Sequence, residues 1–251
     1  MTDAVEQITS VVDQLQRRIE QLPSGMAHRR AFLGTYQRTT AAIAAAVADG
    51  LFEDPDWVGH WDVVFAGHFL AAHDADLSGA PVPEPWRLAF AAPAELSDLI
   101  HLLLGLNAHI NYDLPQAIMA VISGPEFADP DLMARRRRDH ERIDQVISSR
   151  VAAEGPHQEK APSAAARARD WLLTPLNRWS SRRFLRLARR DVWHNVMELD
   201  VARQHGPADY ASRLTELEDL AAAKISVLLR RGPVLLRLAV VGFGVRFPKR
   251  D

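Results

Sequence analysis

The stretch 98-DLIHLLLGLNAHINYDLP-115 decides how this chain folds. Between Leu96 and Ser123 there is no Lys, Arg or Glu. A helix without long charged side chains has no obvious solvent face, so it belongs on the inside of an all-helical protein. The segment is nonetheless not purely apolar. Asp98, His101, Gly105, His109 and Asp113 follow one another at spacings of three, four, four and four. At 3.6 residues per turn they share one face. Asn107 and Asn111 form a second pair, one turn apart on the opposite side. Each such group, buried without a partner, costs on the order of 1–3 kcal/mol. The stripe must therefore bond neighbouring helices or bind something. Gly105 weakens the helix by about 1 kcal/mol relative to alanine, which makes sense where another group approaches closely.

Working outward, the rest of the chain reads as helices separated by breakers. Val5, Ile8, Val11, Val12, Leu15, Ile19 and Leu22 sit at helical spacing until Pro23-Ser24-Gly25. An alanine-rich helix covers about 29 to 49, with Gly50 suited to end it. Asp54-Pro55 supplies a cap and a first-turn proline for a third helix. Trp57, Trp61, Phe65 and Phe69 run along that helix as a core stripe. A loop at 78–85 leads to a short helix ending near Phe90, and the central helix spans about 94 to 123 with a kink at Pro115. Further helices are predicted over about 130–152, 164–178, 181–205 and 208–230, with 153–163 as an exposed loop. No segment alternates as a strand does. The expectation is all-α: a single domain over 1–251, a compact bundle of about eight or nine helices around the central one.

Composition narrows function by exclusion. Hydrophobic residues make up 47% and charged residues 25%, with a net charge of -2, so no overall field draws in nucleic acid. The absence of cysteine excludes disulfides and thiolate metal sites. The first sixteen residues carry acids where a secretion signal is basic, and no run of about 18 apolar residues occurs, which points to the cytoplasm. Residues 232–251 form an apolar, basic tail. Such a tail can lie on a membrane surface, but packing on the core or on a second copy in a homo-oligomer is the preferred reading. The arginines at 135–138 read as a solvated face. No serine elbow, phosphate loop, HExxH or dinucleotide fingerprint is present, so no nucleotide cofactor is expected.

Three imidazole–carboxylate pairs stand one turn apart on three helices: His109–Asp113, His140–Asp144 and His194–Glu198, the last on a face shared with Asp191. Pairs at that spacing can reach one metal ion. The surface reading is preferred for His140–Asp144, which lies beside four arginines.

HLLLGLNAHINYDLP at 101–115, with WDVVFAGHFLAA before it and DHERID and ARRDVWHN after it, resembles a large bacterial family of unknown function that is well represented in actinomycetes. The likeness runs from about Tyr36 to Leu199. The family pattern falls on Asn107, His109, Asn111, Asp113, Asp139 and Trp193; His140 stands where an aromatic is usual and Asp144 where Asn is usual. The family brings no assigned activity. Leu104-Gly105, His109–Asp113 and Pro115 also resemble, faintly, the all-helical zinc-dependent phospholipase C and P1-type nuclease group, in which a separate His-x-x-x-Glu helix would match His194–Glu198. The group's secretion signal is lacking here, as is a histidine just after the proline.

These readings lead to an enzyme with a small-molecule substrate and a polar centre in a helical bundle. The first expectation is a metal-dependent hydrolase of phosphoester-like substrates. A zinc or iron ion would be held by His109, Asp113, His194 and Glu198; His101, His109, Asp113 and Asn111 would serve catalysis, and Gly105, Asn107, Asp139 and Trp193 would line the pocket. The alternatives are a di-iron oxidase, a metal-free binding or acid–base centre at His109 and Asp113, and a structural hydrogen-bond network or interaction protein.

Overall fold

The computed structural model describes residues 3–153, 187–230, 232 and 234–248, with the side chains of 144, 147–153, 235, 236 and 239 left out. Every regular element among the described residues is helical, as the missing strand signals require. Helix α1 is Asp3–Glu20, a turn of 3-10 helix covers Ser24–Arg29, and α2 is Arg30–Ala48. Then come α3 (Pro55–Ser78), α4 (Glu84–Phe90), α5 (Asp98–Ala108), a π turn (His109–Asp113) and α6 (Leu114–Val121). A single turn α7 (Gly124–Phe127) precedes α8 (Pro130–Ala153); α9 covers 187–205, α10 is Pro207–Leu229 and α11 is Val234–Val241. No helix among the described residues is long and apolar enough to cross a membrane.

The breakers act as read. Gly50 takes φ 72° just past the end of α2, the Asp54 carboxylate accepts from the Trp57 amide at 3.0 Å, and Pro55 opens α3. Helix α1 buries Ile8, Val11 and Leu15 against α2 and α3. It crosses α3 so closely that a Cβ on Gly59 would lie 2.8 Å from that of Ala4. Buried residues from Ala4 to Phe247 form one hydrophobic cluster, in which Leu104, Ala108, Leu114 and Ile118 of the central helix are fully buried.

The central helix departs from its expected form. It spans 98–121 rather than 94–123, because Pro93 and Ser97 delay its start. The predicted kink is a π turn placed ahead of the proline: the Leu114 amide bonds the His109 carbonyl, five residues back. A proline donates nothing and crowds the carbonyl four residues before it, and widening the helix upstream relieves that conflict. Asp98 is exposed, so the buried stripe begins at His101. The helix predicted over 164–178 and all but Ala153 of the 153–163 loop lie outside the described residues.

Candidate functional site

The two faces of the central helix do different things. On one face the π turn brings His109 and Asp113 together, with Nδ1 and Oδ2 at 2.9 Å. The indole N–H of Trp86, carried by α4, donates to both oxygens of Asp113 at 2.9 and 3.1 Å. The imidazole lies in an aromatic cage. Phe65 stacks on it at 3.6 Å between centroids and 8° between planes, and Tyr36 stands edge-on at 4.5 Å. Phe32, Phe69 and Trp86 complete the surround at 5.9 to 6.1 Å.

Burial shifts the proton affinities here. It pushes the Asp113 carboxyl well up, against the opposing pull of the Trp86 donor, and pushes the His109 imidazole well down, with His68 adding repulsion. Asp62, on α3, is pushed up to about 7 by burial alone. The Tyr36 phenol is raised by burial, then by the nearby carboxyls of Asp62 and Asp113. Four buried polar atoms of this region have no partner: His109 Nε2, Tyr36 Oη, Asp62 Oδ2 and Thr40 Oγ1. Such atoms are few in native interiors and each calls for an explanation.

On the opposite face Asn107 and Asn111 both donate to the carbonyl of Phe243, at 3.1 and 3.0 Å. Asn111 also accepts from the Val245 amide at 3.2 Å. On α9, Asn195 repeats the device: it donates to the Val245 carbonyl and accepts from the Phe247 amide, both at 3.0 Å. The C-terminal residues 243–247 thus lie extended across α5, the π turn and α9. Asn107 and Asn111, expected in the pocket and in catalysis, are bound up in holding this segment.

At its N-terminal end the stripe meets a small cleft of about 20 Å³, room for one water, lined by Arg29, Phe32, Phe69, His73, Trp86 and His101 among others. Gly105 borders it, and what approaches the glycine is Phe32: an added Cβ would lie 2.5 Å from its ring. Nε2 of His73 and of His101, and Nε and Nη1 of Arg29, lack partners. Burial lowers both histidines; hydrogen-bonded Asp74 opposes this for His73, and the carbonyls of Pro93 and Ala94 oppose it for His101.

The expected metal ligands do not converge. His194 faces Arg246, with Nδ1 and Nη2 at 3.4 Å, and Glu198 accepts from Arg213 at 2.8 Å, while His109 and Asp113 are enclosed by aromatic rings and Trp86. Among the described residues no group of three or more His, Asp or Glu is placed to hold an ion. A two-iron centre meets the same obstacle. Two expected pocket residues also lie elsewhere. Asp139 accepts from the Glu53 and Asp54 amides at 2.9 and 2.8 Å and so ties α8 to the start of α3. Trp193 packs on His140 at 5.5 Å, and His140 is buried rather than on the surface. The Asp144 side chain lies outside those described.

Sequence reasoning missed Tyr36, Thr40, Trp86 and Asn195. Asn195 closes the ARRDVWHN stretch and Trp86 follows a helix-opening proline, but nothing local ties either to the central helix.

No curated protein and no solved structure matches the chain. The model of one family does match, over residues 8–231, and it takes in all of the central helix and both asparagine-bearing helices. The chain belongs to that family, a family of unknown function designated DUF5995.

Proposed function

We propose that this protein performs metal-free acid–base chemistry on a small organic molecule at His109. One observation carries the reading: a fully enclosed imidazole has Nδ1 locked by Asp113, which is itself locked by Trp86, while Nε2 has no partner. Fixing one ring nitrogen through a carboxyl leaves the other to exchange a proton. In the step envisaged, Nε2 gives its proton to one substrate atom as Nδ1 takes that of Asp113, and a second substrate atom returns a proton to Nε2, as in an isomerisation or cyclisation, so no co-reactant is consumed. Asp62, pushed up to about 7, retains a proton near neutrality with which it and Tyr36 can hydrogen-bond a developing oxyanion. The cleft, lined also by Arg29, His73 and His101, shares Phe32, Phe69 and Trp86 with the cage.

The test is conversion of a metabolite extract followed by mass spectrometry, comparing the wild-type chain with His109→Gln. Ions depleted or formed by the wild type alone support the reading, and identical profiles from two folded proteins overturn it. A second reading, a hydrogen-bond network that fixes helix register, is favoured by the complete enclosure of Asp113 by internal donors. It predicts identical profiles and a large loss of stability in the variant.

A further inference from the structure

The segment 243–247 is held as a peptide ligand is held. Asn111 takes the carbonyl of Phe243 and the amide of Val245; Asn195 takes the carbonyl of Val245 and the amide of Phe247. Each carboxamide stands where a neighbouring strand's peptide group would stand, and binds the C=O of one residue and the N–H of the residue two further on. The alternate side chains Phe243, Val245 and Phe247 are buried, while Arg246 points to solvent. The Phe247 ring lies under the Arg213 guanidinium at 4.0 Å, and that guanidinium is fixed by Glu198 and Glu216. Gly244 permits the close approach to α9: a Cβ there would lie 2.4 Å from Asp191 Oδ2 and 3.0 Å from Ala188 Cα. Main-chain bonds plus pockets for every second side chain are the means by which extended peptides are recognised on sheet edges; here two helices supply them.

Three further observations set this segment apart from the body it rests on. Among the described residues, no backbone-to-backbone hydrogen bond ties 243–248 to any other element. The segment follows Gly242, whose φ of 69° makes a turn after α11, and Val240 and Val241 on that helix are left 79% and 41% exposed. The family match ends at residue 231, so Asn107, Asn111 and Asn195 lie inside it and their ligand outside.

We propose that the channel between α5, the π turn and α9 is a peptide-binding groove whose resident ligand, the chain's own tail, is exchangeable, and that it accepts the same tail from a second copy of the chain. The occupant is identified by fit, since the sequence seated in the groove is present in every copy. Reciprocal exchange closes a two-fold dimer and brings the exposed valines of the two connecting helices towards an interface.

The test uses the full chain. Phe243→Ser with Phe247→Ser weakens the resident tail and leaves the groove intact. This variant should bind a fluorescent peptide of residues 237–247 at least tenfold more tightly than the wild type, whose own tail competes, and adding Asn111→Ala and Asn195→Ala should abolish the binding. Mixed with a chain carrying only Asn111→Ala and Asn195→Ala, it should form a one-to-one complex in light scattering. Failure of the peptide to bind, or binding that ignores both asparagines, overturns the proposal. Should the serine variant not fold, the wild type decides: excess unlabelled peptide speeds amide exchange at Val245 and Phe247 if the tail is exchangeable, and unchanged exchange refutes it.

Discussion

Trp86 donates its indole N–H to both carboxylate oxygens of Asp113, and through Asp113 it orients His109. A residue of a seven-residue helix thereby sets the geometry of the central one. Trp86→Phe keeps an aromatic ring in the cage but removes the donor, and is expected to cost about 2–4 kcal/mol in urea unfolding. The cost should fall when Asp113→Asn is already present, with a coupling of roughly 1–3 kcal/mol in the double-mutant cycle. Additive costs would show that the bond contributes nothing.

Asp62 gives the stability curve a slope of known sign. Its folded value of about 7 lies above the ordinary carboxyl value of 3.8. Stability from this group is therefore full below about pH 4 and is lost as pH rises through 7. The swing is on the order of 4 kcal/mol as an upper bound. Asp62→Asn should be more stable than the wild type at pH 8, with the difference shrinking towards pH 4. A difference independent of pH would place the carboxyl in contact with water or a cation.

His140 acts with the opposite sign. Burial, then the charges of Arg189 and Arg137, hold the imidazole well below its ordinary 6.5. Its contribution is present above pH 6.5 and is lost as pH falls, because the unfolded chain binds the proton first. The ring lies between Trp61 and Trp193 at 5.6 and 5.5 Å, with Nε2 unpartnered. His140→Phe should raise stability at pH 5 by about 2 kcal/mol and change little at pH 8. The check is thermal unfolding at the two pH values.

Gly105→Ala sets helix propensity against packing. Propensity favours alanine by about 1 kcal/mol, but the new Cβ would meet the Phe32 ring at 2.5 Å. Overpacking costs roughly 1–3 kcal/mol, so a net loss is expected in the unfolding midpoint, partly restored by Phe32→Leu. A stabilised single variant would mean that the ring moves aside freely.

The helices were legible because their causes are local. Asp54-Pro55, Gly50 and the Ile8/Val11/Leu15 stripe act within a few residues of themselves, and the structure uses each as read. The burial of the central helix was equally legible, since a run without Lys, Arg or Glu offers water nothing to solvate. So was the opposition of its two polar faces, because the angle between His109 and Asn111 on a helix is fixed by the backbone. The sequence also determined that His109 and Asp113 could meet.

Tertiary structure decided what those faces touch. The partner of Asp113 is Trp86, 27 residues away, and the partner of Asn111 is a tail more than 130 residues on. Neither spacing carries a periodic signal, because the contact arises from how helices cross and not from how one helix turns. The same reason separated His194 and Glu198 from His109. All three positions read as ligands along the chain, yet packing turned Glu198 to Arg213 and enclosed His109 in aromatic rings. A helix pattern specifies which side chains share a face; only the packing of that face against another determines whether a polar group there meets a donor, a ring or a ligand.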